Sequence, residues 1–186
     1  MASSPTVAFL CASLREGSIN QQLEGALMAM AGDLGLAPDK VDLNDYEMPL
    51  FHGDLKPPAS VDALIERLGG YDAVVVVTPE YNGSLPPLLK NVIDWTSTRT
   101  TEHITGPVYG IAACTPGAMS GIMCLRQLAY ILTRLGGEVV PTQVGVGNAV
   151  AAFDEHGRLA PGHSAELAEK MLQSLKTRAL QKRASA

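Results

Sequence analysis

No stretch of this chain reaches the roughly 18 consecutive apolar residues that a membrane-spanning helix needs. Positive charge is not in excess either: 14 Lys and Arg face 19 Asp and Glu, for a net charge of -5. The first absence argues against a membrane partner, and the second leaves no basic face for nucleic acid. Cysteine is scarce. Cys11, Cys114 and Cys124 make an odd count without a C-x-x-C, which fits no disulfide framework and suits a reducing compartment, the cytoplasm. All three read as buried free thiols. His52, His103, His156 and His163 are scattered, with no H-E-x-x-H and no Cys/His cluster, so no metal site is expected. The apolar TVAFLCA has no Lys or Arg before it, unlike a secretion signal. Nucleotide-binding fingerprints are missing as well: there is no G-x-G-x-x-G and no G-x-x-x-x-G-K-[ST].

What is present suits one domain, residues 1–186, with a real core: 46% of residues are hydrophobic and 18% charged. The centre of the chain is Val74 to Val77, four valines in a row, a run expected of a strand buried on both faces. Glu80, Tyr81, Asn82, Gly83 and Ser84 follow, then Pro86 and Pro87, which can start a helix but not sit inside one. A dry strand, a polar loop and a helix describe the carboxyl edge of an open α/β sheet, where ligands bind. An ordinary strand-to-helix connection would carry similar residues.

Pro5–Ala12 reads as a first strand and Ser18 with Gln21 as a capping box opening a helix at Ile19, ended by Gly32 and Gly35. Val41 and Leu43 belong to a short second strand, and Asn44 to Ser60 to a long loop. Helices are expected over Val61–Leu68, Pro87–Thr96, Gly121–Leu135 and Ser164–Leu180, with the terminal QKRASA frayed. Val108–Cys114 is a fourth strand, Val139–Val146 a fifth interrupted by Pro141, and Arg99–Gly106 an exposed connection. Phe153–Leu159 reads as a turn with apolar flanks. Strands alternating with helices predict a parallel sheet covered on both faces, order 2-1-3-4-5, with a switch point between strands one and three.

The first loop offers Ser13 and Ser18 hydroxyls, the Arg15 guanidinium, the Asn20 amide and a helix N-terminus. Together these can hold one phosphate; a helix cap with a solvated Arg accounts for only part of the set. CASLREGSINQQL, TPEYNGSLPPLLKNVIDW and TPGAMSGIMCLRQL resemble three signatures of the NADPH-dependent FMN reductase family. The resemblance runs from the first strand to the fifth. Ala12, Pro87, Thr115, Ser120 and Met123 depart from the family's usual residues.

The resemblance implies a flavodoxin-like three-layer sandwich and an oxidoreductase of the FMN or quinone reductase type. Hydride would pass from NADPH or NADH to FMN, and on to quinones, other small acceptors or free FMN. It implies that Ser13, Arg15, Ser18 and Asn20 bind the FMN phosphate, that Pro79, Glu80, Tyr81, Asn82, Gly83 and Ser84 line the isoalloxazine, and that Thr115, Pro116 and Gly117 close the other side. Chemistry would reside at flavin N5, with no side chain acting as catalyst, and N–H groups around Asn82 and Gly83 would favour the reduced ring. Tyr81 has a second reading as a packing aromatic. A flavodoxin-type electron carrier and a phosphate-binding domain without flavin are the other classes that fit.

The resemblance further implies a homodimer or a dimer of dimers. Independently, Leu88, Leu89, Val92, Ile93 and Trp95 make the helix after Pro86 apolar all round, and Ile122, Met123 and Tyr130 extend the patch. Cover by the Asn44–Ser60 loop or the last helix within one chain would remove that need.

Overall fold

The computed structural model describes residues 3–185. The order along the chain is β1 (Thr6–Cys11), α1 (Ile19–Asp33), β2 (Ala37–Val41), α2 (Ala59–Gly69), β3 (Ala73–Thr78) and α3 (Pro87–Ser97). There follow α4 (Glu102–Thr105), β4 (Val108–Cys114), α5 (Ile122–Arg134), β5 (Glu138–Val139), β6 (Val144–Val146) and α6 (His163–Ser185). The sheet is parallel with order β2-β1-β3-β4-β5, and β6 also pairs with β4. This is the flavodoxin-like sandwich expected of the sequence.

Alternation along each strand divides the core in two. Phe9, Cys11, Val75 and Val77 face α1 and α6. Leu10, Val74, Val76 and Ile111 face α2, α3 and α5. The four-valine run is thus shared equally between the faces, and both are dry: every residue of β3 is buried. Each fully buried Val contributes about 1.5 kcal/mol or more. All three thiols lie in these layers, where burial pushes Cys11, Cys114 and Cys124 up to about 12, 11 and 12. They stay protonated and unreactive.

Several expectations need correction. The expected fifth strand is two short ones, because Pro141 supplies no N–H and the ladder lapses between Val139 and Val144. The second strand lies earlier, over Ala37–Val41; Leu43 sits in a 3-10 turn that starts where the Asp42 carboxylate accepts the Asn44 N–H at 3.0 Å. Arg99–Gly106 is not simply exposed, since α4 folds His103 and Ile104 into the core. Burial pulls His103 down to about 4, and its Nδ1 has no partner among the described residues. The C-terminal residues do not fray through Ser185: Arg183 forks onto Asp72, which also accepts the Thr6 N–H and hydroxyl at 2.7 Å each. Burial alone would raise Asp72, but these donors outweigh it and hold its carboxyl below the usual range.

The apolar circumference of α3 is covered within the chain. Pro49 carbonyl accepts from Trp95 Nε1 at 2.7 Å and from Asn91 Nδ2 at 3.0 Å, and Phe51 N–H donates to Asn91 Oδ1 at 2.8 Å. Phe51 meets the Trp95 ring edge-on with centroids 5.0 Å apart. The 44–60 loop therefore straps α3, and Trp95 is buried. That helix gives no reason for a second subunit. Among the described residues no helix is long and apolar enough to cross a membrane.

One buried charge is poorly compensated. Glu24, on α1, is 2% exposed; among the described residues Oε1 has no partner, and Lys40 Nζ stands 3.9 Å from Oε2. Burial pushes its carboxyl up to about 7; Lys40 opposes the rise and Asp42 adds to it. The folded protein thus holds a proton that the unfolded chain releases above about 4.5. Stability from this group falls as pH rises from about 4.5 to about 7 and is flat beyond. Glu24→Gln should accordingly raise stability at about pH 8, by on the order of 3 kcal/mol at most, and little at about pH 4. Urea unfolding of both proteins at the two pH values checks this; an equal gap at both would show that the charge is not the cause.

Candidate functional site

The loops after β1, β3 and β4 meet at the carboxyl edge of the sheet, and hydrogen bonds between distant residues bring them together. Beginning with the first loop, Arg15 to Ser18 is a turn closed by Ser18 N–H on Arg15 carbonyl at 3.1 Å, with Gly17 at φ 67°. Ser18 Oγ accepts the Asn20 N–H at 3.2 Å and donates to Ser13 Oγ at 2.8 Å. The predicted capping box does not form: Gln21 Nε2 reaches Ser13 carbonyl at 2.9 Å instead. The Ser18 hydroxyl takes up only one of the N–H groups that the first turn of α1 leaves free. Arg15 is exposed at the tip, with no acidic partner among the described residues.

Asn20 has a structural duty that its sequence position did not announce. It is 2% exposed; its Oδ1 accepts Cys114 N–H at 2.9 Å and its Nδ2 donates to Cys114 carbonyl at 3.0 Å. Both amide atoms are thereby spent on the end of β4, and α1 is fastened across the top of β3. Of the four proposed phosphate ligands, Ser13, Ser18 and Asn20 form one bonded cluster, and Arg15 stands outside it.

The second loop is a two-residue hairpin. Tyr81 and Ser84 exchange both backbone bonds at 3.0 Å around Asn82 at φ 52° and Gly83 at φ 73°. Asn-Gly is the pair that tolerates two left-handed residues in succession. The turn's own N–H groups take no part in these bonds. Tyr81, at the start of the hairpin, is 49% exposed. Glu80 turns away from the turn: Oε2 accepts the Met123 and Cys124 N–H groups, both at 3.0 Å. It caps α5, whose own N-cap residue, Gly121, has no side chain to do so. Ser84 Oγ donates to Gln127 Oε1 at 2.8 Å, and Gln127 Nε2 donates to Gly83 carbonyl at 3.1 Å.

In the third loop Thr115 Oγ1 donates to Gly117 carbonyl at 3.1 Å, while Pro116 and Gly117 are exposed. Asn148 N–H and Ala149 N–H donate to the carbonyls of Gly117 and Thr115, tying the loop after β6 to this one. Gly121 lies so close to β4 that a Cβ there would come within 2.6 Å of Ala113 Cβ. Among the described residues three non-glycine residues have positive φ: Asn82, Ser120 and Asn148. They sit in the loops after β3, β4 and β6, so the backbone strain of this molecule collects at this one edge.

A cavity of about 220 Å³ opens beside the first loop, lined by Leu14, Leu43, Tyr46, Met48, Leu88 and Asn91 among others. A larger groove, of about 490 Å³, runs between α2 and edge strand β2. Its central carboxylate, Asp39, already accepts from Arg67 and Tyr71 at 2.6 Å each, so it offers little to a ligand. Size does not single out this groove, since another of about 520 Å³ lies by Pro141, Lys170 and Arg178; free donors and converging loops select the carboxyl edge.

The sequence reading missed Gln127 and the strap residues Asn91 and Trp95. A polar residue inside an apolar helical face, as Gln127 is between Cys124 and Leu128, was the available signal. Nothing local in Asn91 foretold a bond to Pro49.

Comparison with known proteins bears on the same residues. Residues 5–151 match the family model described as NADPH-dependent FMN reductase. The chain is 32% identical over 158 residues to a quinone reductase of Escherichia coli, covering 81% of each. It is 30% identical over 184 residues to an NAD(P)H-dependent FMN reductase of Pseudomonas aeruginosa, covering 94% and 95%. Its structure is similar to FerB, a flavoenzyme NAD(P)H:(acceptor) oxidoreductase of Paracoccus denitrificans, with TM-score 0.81 and 25% identity over 96% and 98% of the chains.

Asn20→Ala should cost roughly 2–4 kcal/mol, because it orphans a buried N–H and a buried carbonyl at Cys114. Denaturant unfolding measures it; a loss under about 0.5 kcal/mol would mean that water replaces the amide.

Proposed function

The chain belongs to the NADPH-dependent FMN reductase family and is an oxidoreductase using FMN and NAD(P)H, and on that premise we propose that it delivers electrons to quinones or other small acceptors, free FMN included. The observation that carries the reading is the carboxyl edge itself, where three loops are cross-tied and still present unpaired donors.

The residues suit FMN. Arg15, the Ser13–Ser18 hydroxyl pair and the first turn of α1 offer charge and N–H groups to a phosphate. A Cβ at Gly17, Gly83 or Gly117 would meet no atom within 4 Å, so all three loops leave open room at their tips. Bound there, FMN supplies hydride transfer between the nicotinamide and the acceptor. The chain's part is to hold and to orient. Ser13, Arg15 and Ser18 anchor the phosphate, with Asn20 setting the turn they stand on. Tyr81, Asn82 and Gly83 border the ring with Pro79 behind them, and the N–H groups of the turn favour negative charge on it. Thr115, Pro116 and Gly117 close the other side. Glu80 and Ser84, assigned to the ring by resemblance, spend their side chains on α5. No side chain is assigned a covalent or proton-transfer role.

A flavodoxin-type carrier without NAD(P)H oxidation is the weaker reading, since the similar proteins are named as reductases. Arg15→Ala supplies the test. Losing one charge-assisted bond should weaken FMN binding by about one to two decades while the apo-protein stays folded and the wild type oxidises NADPH. Unchanged FMN affinity would remove Arg15 from the site, and a wild type without NADPH oxidation would restore the carrier.

Self-association belongs to the same proposal. With α3 covered, its support is the exposed apolar residues Met119, Ile122, Met123 and Tyr130 along and before α5, beside the site. A two-fold contact would cover them on both copies. Light scattering should give two or four times the 19.6 kDa chain mass; a monomer active at micromolar concentration would count against it.

A further inference from the structure

The Tyr81–Ser84 hairpin is short and exposed, and a two-stranded turn of this size has little stability of its own. What locates it is α5. Glu80, one residue before the hairpin, places Oε2 against two N–H groups of the first turn of that helix. Gln127, one turn further along the same helical face, accepts from Ser84 Oγ and donates to Gly83 carbonyl. The start of that helix lies close against β4, where a Cβ on Gly121 would come within 2.6 Å of Ala113 Cβ. The hairpin's own two bonds close the Asn82–Gly83 turn, and the ties to α5 fix where it stands above the sheet.

We propose that Glu80 and Gln127 are positioning residues for the flavin: they brace the Asn82–Gly83 turn on α5 and thereby set how strongly the turn favours the reduced over the oxidised ring. The proposal rests on the FMN reading above. Glu80 has a second consequence. Its carboxylate occupies the free N–H groups of α5, so that helix has no amide left for an anion, and the turn's own N–H groups become the donors of this loop. A carboxylate two residues before the turn also opposes electron uptake nearby.

The test uses Gln127→Ala, Gln127→Glu and Glu80→Gln in the full chain. In apo-protein, amide exchange at Asn82 and Gly83 should quicken about tenfold in Gln127→Ala while the middle of α5 is unchanged. FMN affinity should fall about tenfold. The two-electron midpoint potential of bound FMN should shift by about 30 mV for each tenfold difference between the losses for oxidised and reduced flavin. Glu80→Gln should raise the potential. Gln127→Glu keeps an acceptor for Ser84 and loses the donor to Gly83, so it should lie between the wild type and Gln127→Ala. Faster exchange with unmoved potential and affinity would make the brace purely structural and overturn the proposal, as would unchanged exchange. A wild type that binds no FMN would remove the functional reading as well, a result distinct from bound FMN with an unmoved potential. Should Glu80→Gln fail to fold, Gln127→Ala decides alone.

Discussion

Two ties between side chains and distant backbone, one on each face of the sheet, hold this edge of the molecule together. On one face the Asn20 amide closes both polar groups of Cys114, 94 residues away. On the other the Glu80 carboxylate closes two N–H groups at the start of α5. Between them they bind the loops after β1, β3 and β4 into one body. Strand pairing alone would not achieve this, because the ladder ends where the loops begin. Each tie satisfies backbone groups that the end of a strand or the start of a helix leaves without partners. The same bonds therefore stabilise the fold and shape the site.

The cost of this edge is visible in its conformations. Asn82, Ser120 and Asn148 adopt left-handed backbone angles without being glycine, a state that persists only where neighbours over-determine it. Asn82 is held by the reciprocal bonds of its hairpin, Ser120 by its close packing against Gly145 and Gly147, and Asn148 by its bond to Gly117. Among the described residues the opposite edge shows no such concentration. There Asp72 gathers Thr6 and Arg183, an arrangement that anchors the C-terminal helix to the starts of β1 and β3. One edge of the sheet is thus built for anchorage and the other for an exposed, precisely placed turn.

The long 44–60 loop illustrates how packing can overrule a surface argument. The apolar circumference of α3 reads as a subunit contact, and the chain covers it instead with Pro49 and Phe51. One carbonyl with two donors and one edge-on ring pair are enough to keep the strap down. What the strap leaves is a cavity against the first loop rather than a flat hydrophobic face.

Much of the molecule follows from its sequence alone. A β-branched run followed by a polar loop and prolines suits a strand dry on both sides with a helix after it. Alternating strands and helices with short links leave few topologies. Those signals are local, set by periodicity and backbone sterics, so the sheet order and the polar loops at its carboxyl edge could be read directly. The roles of particular polar side chains could not. Asn20 reads as a phosphate ligand and closes β4; Glu80 reads as a ring contact and caps α5. Arg183 reads as frayed and is bound to Asp72. In each case the partner lies tens of residues away, and a side chain's local neighbours carry no record of it. Only the tertiary structure decides which buried donor or acceptor remains open when the chain closes, and therefore which polar residue must turn inward to meet it.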